Sequence, residues 1–255
     1  QVHRINAFSD NYIWAMAGKS GHCAIVDPGD PDAVLDKVAQ NQWRITEILL
    51  THHHWDHIDG VPKLTQAFPD AIVYGPATAR FEHLARPVRP GDTIDVRATS
   101  SAFKIFDLAG HTSDHIGFVD ETNAFVGDTL FSIGCGRLFE GSAKQLQQAL
   151  ARLATLEDTT KVYCAHEYTL SNIEFALTAW PDNTALLDYR QEVQRALACG
   201  QASIPTNLGQ QKQLNPFLNA HRQELKLAVA AHFQLPKLPD NDESFALLRR
   251  WKDTF

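Results

Sequence analysis

Apolar and polar positions change their spacing several times along the chain. Val2 to Phe8, Tyr12 to Ala17 and Cys23 to Val26 are short apolar-rich runs separated by Asn11 and by Gly18-Lys19-Ser20-Gly21, which predicts three strands with turns between them. In the loop Asp27-Pro28-Gly29-Asp30-Pro31, Asp30 suits the cap of a helix and Pro31 its first position; that helix carries Val34, Leu35 and Val38. Glu47-Ile48-Leu49-Leu50 reads as a buried strand, and Val61, Leu64 and Phe68 stand at helical spacing within Ile58 to Phe68. Ala71 to Tyr74 is a further strand, closed by Gly75-Pro76, and Ala77 to Arg89 reads as a short helix and a loop. Thr93 to Val96, Phe103 to Leu108, Ile116 to Val119, Asn123 to Val126 and Lys161 to Cys164 complete the strands. Leu146, Leu150 and Leu153 predict a helix over Ala143 to Leu156.

Beyond His166 the pattern turns helical. Leu170 to Ala179, Thr184 to Cys199, Asn219 to Phe233 and Asp242 to Trp251 read as helices, Ser203 to Leu218 as an irregular loop holding Pro205 and Pro216, and no strand is expected there. The chain therefore divides into a strand-rich domain, residues 1–166, and a helical domain, residues 167–255. No repeat of solenoid period and no low-complexity tract interrupts it.

The strand ends share one chemistry. Thr51-His52-His53-His54-Trp55-Asp56-His57 follows the Glu47–Leu50 strand, His111 follows Phe103–Leu108, Asp128 follows Asn123–Val126, and His166 follows Lys161–Cys164. Open α/β sheets place ligand-binding residues at the carboxyl ends of strands. Residues two apart in extended chain point the same way, so His52 and His54 face one ion while His53 faces away. Asp56 and His57, past the bend, face a second. Five histidines and two aspartates suffice for two metal ions sharing a carboxylate, an arrangement that activates water and polarises a carbonyl. Imidazole and carboxylate suit zinc, iron or manganese. A solvated polar loop is the bland reading of the cluster, and the other three strand ends weigh against it. Asp27 is either a turn residue or a partner orienting a ligand histidine. His115 is read as packing beside the ligands; His3, His22, His83, His221 and His232 are read as surface or core histidines, and Cys135 as a packing thiol rather than a nucleophile.

Composition narrows the partners. A net charge of -7 with no basic stripe argues against nucleic-acid binding. The 44% hydrophobic and 21% charged content is that of a soluble globular chain, with no apolar run long enough to span a bilayer. Cys23, Cys135, Cys164 and Cys199 are scattered, as free thiols in a reducing compartment are, and the opening Gln1–Asn6 has no signal-peptide core; a cytoplasmic monomer is expected.

His52-x-His54-x-Asp56-His57, Gly110-His111-Thr112, Gly127-Asp128-Thr129 and His166 together resemble the metallo-β-lactamase superfamily. Within it, Asn11-Tyr12-Ile13-Trp14, Val26-Asp27-Pro28-Gly29, Gly134-Cys135-Gly136-Arg137-Leu138-Phe139-Glu140-Gly141, His166-Glu167-Tyr168-Thr169 and Leu248-Arg249-Arg250-Trp251-Lys252-Asp253 resemble the glyoxalase II, or hydroxyacylglutathione hydrolase, family over nearly the whole chain. The resemblance implies an αββα sandwich followed by a helical substrate domain. It implies hydrolysis of S-D-lactoylglutathione to glutathione and D-lactate by a hydroxide bridging two divalent ions, zinc first among the choices. His52, His54 and His111 would hold one ion, Asp56, His57 and His166 the other, and Asp128 would bridge. Arg137, Phe139, Tyr168, Arg249 and Lys252 match the family's glutathione-binding positions, and Asn172 is a weaker candidate of that group. Phe139 stands where some relatives have Tyr, Ala109 where the usual residue is Pro, and Asp59 and Asp114 where it is Gly; none removes an implied ligand. The rival readings are another hydrolase on this fold, a sulfur dioxygenase using a single iron, and a non-catalytic zinc-binding module. The last fits poorly, because structural zinc favours closed, cysteine-rich sites.

Overall fold

The computed structural model describes residues 1–81 and 86–255; His83 lies outside the described residues. Two compact units are distinguished: Gln1–Leu108 with Asp114–Gly127, and Ala109–Ser113 with Asp128–Phe255.

The first unit begins with β1 (Val2–Ala7), β2 (Asn11–Ala17), β3 (His22–Val26), helix α1 (Pro31–Asn41), β4 (Arg44–Leu49), the single-turn α2 (Trp55–Ile58), α3 (Val61–Ala67), β5 (Ile72–Pro76) and β6 (Arg86–Val88). Its strands form one sheet in chain order. β1, β2 and β3 are antiparallel, whereas β3, β4, β5 and β6 run parallel, with α1 crossing from β3 to β4 and α3 from β4 to β5. Asp30 caps α1 as expected, accepting from the backbone N–H of Asp32 and Ala33. Val34 and Val38 of α1 and Val61 and Leu64 of α3 are buried with Ile5, Ile13, Ile25, Ile45 and Ile48 of the sheet. Each such side chain contributes roughly 1.5–3 kcal/mol. That packing fixes the ends of β3 and β4, from which the site is built. β7 (Thr93–Val96), β8 (Ser101–Asp107), β9 (Ile116–Val119) and β10 (Asn123–Gly127) form an antiparallel meander. Glu47 of β4 ties the two sets of strands: it is fully buried and accepts from Arg97 Nε at 2.8 Å, the N–H of Arg97 and Ala98, and the Thr46 hydroxyl.

The second unit contains the two-residue strands β11 (Leu130–Phe131) and β12 (Gly134–Cys135), helix α4 (Ala143–Leu153), β13 (Lys161–Cys164), α5 (Thr169–Ala179), α6 (Ala185–Ala198), β14 (Thr206–Asn207), α7 (Leu208–Leu214), α8 (Gln223–His232) and α9 (Asn241–Asp253). A capping box of Ser142 and Gln145 starts α4. Ile133, Ile173, Ala176, Leu186, Tyr189, Val193 and Leu214 make one core, and Phe175 links Phe217, stacked at 5.9 Å, to Trp251, edge-on at 5.7 Å.

Three sequence expectations are corrected. The helix expected from Ile58 to Phe68 is broken at Gly60, whose N–H is drawn out to Pro28 O and whose next residues, Val61-Pro62, start α3 afresh. Gly75-Pro76 does not close a strand but continues β5, paired with Pro87 and Val88 at the sheet's edge, where a missing N–H is tolerated. The loop expected over Ser203 to Leu218 holds β14, antiparallel to β13, and α7 between its two prolines, so the region past His166 does contain a strand. Local composition predicted a loop; pairing with Lys161 and Val162 and burial of Leu208, Gln211 and Leu214 overrode it.

Candidate metal centre

In the first unit, parallel pairing sets Val26 of β3 beside Leu49 of β4, so both chains end at the same edge. Asp27 follows β3 in the left-handed region, at φ 53°, a conformation Asp adopts more readily than most side chains. Its carboxylate is buried: Oδ1 accepts the Thr51 N–H at 2.8 Å and Oδ2 accepts the Thr51 hydroxyl at 2.7 Å. The same Oδ2 lies 3.0 Å from His57 Nδ1. Thr51 Oγ1, its proton given to Asp27, is left to accept from His52 Nδ1 at 3.0 Å. The hydroxyl oxygen beside His52 Nδ1 and the carboxylate beside His57 Nδ1 both favour a proton there, which leaves Nε2 as the lone-pair nitrogen. Asp27, His52 and His57 place donor atoms within 4.8 Å of one another, yet both Asp27 oxygens are engaged on the Nδ1 side, so it orients rather than ligates. The choice left open by the sequence falls to the orienting role.

The His54 ring centroid lies 4.7 Å from that of His52, and the His57 ring 4.0 Å. Asp56 Oδ2 is 3.4 Å from His57 Nε2 and accepts from Asn11 Nδ2 at 2.9 Å. His53 turns away as expected: its Nδ1 meets Asp114 Oδ1 at 3.1 Å, and Asp114 also accepts from the Thr78 hydroxyl. The Asp114 departure thus anchors His53, the one histidine of the motif outside the ligand set that the resemblance implies. His115 is buried and stacks on His52 at 4.6 Å. Gly127, at φ 48°, makes room for both: a Cβ there would sit 2.4 Å from Thr51 Oγ1 and 2.8 Å from His115 Nε2.

In the second unit, His111 Nδ1 donates to Arg137 O at 2.8 Å, leaving Nε2 as the lone-pair nitrogen. Asp128 Oδ2 is 3.5 Å from His111 Nε2 and 3.4 Å from His166 Nε2. All three residues are buried. These separations, with the Asp56–His57 one, exceed the usual hydrogen-bond distance. They match the edge of a coordination tetrahedron: two ligand atoms about 2.1 Å from one zinc lie about 3.4 Å apart. The donor set is that of a divalent-metal centre.

The five glutathione-matching residues all lie in the second unit. Tyr168 stacks on His166 at 4.8 Å and is partly exposed, while Phe139 is well exposed, its ring edge-on to His111 at 5.2 Å. Arg137, half exposed, donates from Nε to Asp253 Oδ1 at 3.2 Å. Arg249 is buried; Nη2 donates to the same Asp253 oxygen at 3.0 Å and Nη1 to Cys135 O at 2.9 Å. Lys252 reaches Ser171 O at 3.3 Å and packs over Phe175 and Phe255. Burial, and secondarily the Arg249 charge, brings the Lys252 ammonium down to about 8. Asn172 is buried and donates to Ser132 O at 3.0 Å. Burial pushes the Cys135 thiol up to about 11, so it is a packing group and no nucleophile. Asn11 and Asp253 carry roles that the sequence patterns did not single out; each became visible only through a partner far away in the chain.

Comparison with known proteins agrees with this chemistry. Residues 9–166 match the metallo-beta-lactamase superfamily and residues 167–255 the hydroxyacylglutathione hydrolase C-terminus. Hydroxyacylglutathione hydrolase of Aliivibrio fischeri is 44% identical over 100% of this chain and 99% of its own length, and that of Photobacterium profundum is likewise 44% identical. Among solved structures, ETHE1 from Myxococcus xanthus superposes with a TM-score of 0.67 at 24% identity, covering 100% of this chain and 99% of that one. TTHA1623 in a di-iron-bound form gives 0.58 at 25% identity, covering 82% and 95%. No helix among the described residues is long and apolar enough to cross a membrane. The fold is α/β, a metallo-β-lactamase domain followed by a helical C-terminal domain, and the chain belongs to the hydroxyacylglutathione hydrolase (glyoxalase II) family of the metallo-β-lactamase superfamily.

Proposed function

We propose that the chain hydrolyses S-D-lactoylglutathione to glutathione and D-lactate at a binuclear centre. His52, His54 and His111 would hold one ion, Asp56, His57 and His166 the other, and Asp128 would bridge them; zinc is the first choice, with iron or manganese accepted by the same donors. The observation that carries this reading is a single Asp128 oxygen approached by the Nε2 atoms of two imidazoles, at 3.4 and 3.5 Å. Because the proposed ligands form two sets, one including His111 and the other His166, a carboxylate beside both suits a bridge. The relative TTHA1623, in its di-iron-bound form, supports that count.

When bound, two divalent ions lower the pKa of water and polarise the thioester carbonyl. The chain's own residues do the rest. Asp27 fixes the ligating nitrogens of His52 and His57. Arg137 and Lys252 offer cations to the carboxylates of glutathione, and Arg249 joins them when Asp253 yields its place. Tyr168 and Phe139 flank His166 and His111 with flat apolar surface for the tripeptide. Water adds to the acyl carbon, the C–S bond breaks, and thiolate leaves without needing a dedicated acid. Residues 1–166 form the catalytic domain and residues 167–255 the substrate domain, a functional division where the two family matches meet. The described cysteines form no disulfide, in keeping with a cytoplasmic enzyme, and we read it as a monomer.

The test is release of free thiol from S-D-lactoylglutathione, run with metal analysis on the same sample. No hydrolysis at two bound metals per chain would sink the substrate assignment. Asp128→Ala is expected to lower metal content and to cost at least about a hundredfold in kcat; unchanged hydrolysis by this variant would remove the bridging role.

A further inference from the structure

Between Asp128 and Arg137 the chain makes a hairpin, β11–β12, whose turn residues are Ser132 and Ile133. Ile133 sits at φ 59°, in the left-handed region that β-branched side chains avoid, and it is fully buried. A glycine or asparagine would adopt this backbone readily. The turn is held instead from outside. Gln211 Oε1 accepts the Ile133 N–H at 2.7 Å. Asn215 Nδ2 donates to Phe131 O at 3.2 Å and Gly134 O at 2.9 Å, and lies 3.1 Å from Gln211 Oε1. Asn172 Nδ2 donates to Ser132 O, and the Ser132 hydroxyl meets Tyr189 OH at 3.0 Å. The Gln211 amide is itself fixed, since Nε2 donates to Thr206 Oγ1 at 2.9 Å. Gln211, Asn215 and Asn172 are all buried.

The hairpin in turn presses on the metal residues. Gly136 N donates to Thr129 O at 3.1 Å. A Cβ on Gly136 would fall 2.0 Å from Asp128 O and 3.2 Å from His111 Cβ. Any slackening of the turn therefore reaches the backbone of Asp128 and the side of His111 directly, and the next residue, Arg137, supplies the carbonyl that orients His111.

We propose that Gln211 and Asn215, on and just after α7, are positioning residues for the metal centre: their amides hold the strained Ser132–Ile133 turn so that the bridging carboxylate of Asp128 and the Nε2 of His111 are set before metal arrives. The inference rests on the proposed ligand roles of Asp128 and His111. It assigns a function in catalysis to a helical segment with no ligand of its own, and it explains why buried amides, rather than apolar side chains, fill that position.

The test compares Gln211→Met, an apolar near-isostere, with the wild-type holoenzyme. Metal release to a chromogenic chelator is expected to quicken by about tenfold or more and kcat to fall by a similar factor, while KM stays within about twofold and the far-UV circular dichroism is kept. Ile133→Gly in the Gln211→Met background is expected to recover part of the metal retention, because glycine takes the turn without the clamp. Should Gln211→Met not fold, Thr206→Val, which frees the Gln211 amide to rotate, is expected to show the same change in milder form. Wild-type metal release and kcat in a folded Gln211→Met or Thr206→Val protein overturn the proposal, as does an effect confined to KM. Metal release is read without substrate, so a chain that fails to cleave the lactoyl thioester yet loses metal on these substitutions refutes the substrate reading alone.

Discussion

Asp27→Asn changes one atom and probes the tautomer argument directly. The wild-type carboxylate accepts the Thr51 N–H and the Thr51 hydroxyl, and its Oδ2 lies 3.0 Å from His57 Nδ1. An asparagine has one accepting end. If its oxygen stays with the Thr51 N–H, its NH₂ group faces His57 Nδ1, which must then accept; the proton moves to Nε2 and the ligand nitrogen is blocked. In the flipped amide, NH₂ faces the buried Thr51 N–H, and an unsatisfied buried donor costs about 1–3 kcal/mol. The first arrangement is therefore preferred, and restoring the ligating tautomer on metal binding costs about that same amount. Loss of an orienting partner of this kind reduces metal affinity or activity by about 10–100-fold, or about 1.4–2.7 kcal/mol. Competition with a chelator of known affinity, alongside kcat on the lactoyl thioester, measures it. The ion proposed at His57 is expected to weaken, the one at His52 to follow because the same NH₂ faces the Thr51 hydroxyl, and kcat to fall in step. Unchanged affinity for both ions in a folded Asp27→Asn protein would refute the assignment of Nδ1 protonation to His57.

Two further outcomes are expected. Lys252 is a cation below about 8 and loses its charge as pH rises through that value, so kcat/KM falls with pH above about 8 through a rise in KM; Lys252→Arg, charged throughout, removes that limb, and a wild-type profile flat from about pH 7 to 9 speaks against the carboxylate-binding role. Glu47→Ala strips the acceptor from the N–H groups of Arg97 and Ala98 inside the first unit; about 3 kcal/mol of stability and roughly 6–12 °C in Tm should be lost in a thermal melt, and a shift under about 2 °C excludes that linking role.

Much of this was legible in the sequence because it is written in local patterns. Apolar runs ending in His or Asp picked out the side chains of the proposed metal centre, since a strand's period decides which side chains share a direction. His53 separated from His52 and His54 by that rule alone, and the structure puts it on Asp114. What was not legible depends on distant partners. Asp27 sits in a Pro-Gly loop that reads as a turn, and its role appears only when β3 pairs with β4 and brings Thr51 to it. β11 and β12 are two residues long, too short for any periodicity to mark. The Ser203–Leu218 segment carries loop composition, yet pairing with β13 and burial of Leu208 shaped it into strand and helix. Asp253 closes the Leu248–Asp253 motif with nothing local to mark its role, because only its place between Arg137 and Arg249 gives it one.

That place has a consequence for turnover. On the proposed reading, the arginines that await a glutathione carboxylate already share one, so binding there exchanges a resident anion for an incoming one. The guanidinium groups are never stripped of partners between cycles, and the free-energy difference between empty and filled is that of two similar ion pairs. Affinity at this point is kept shallow by construction. Departing glutathione is displaced by a side chain that never leaves, which favours product release over product retention.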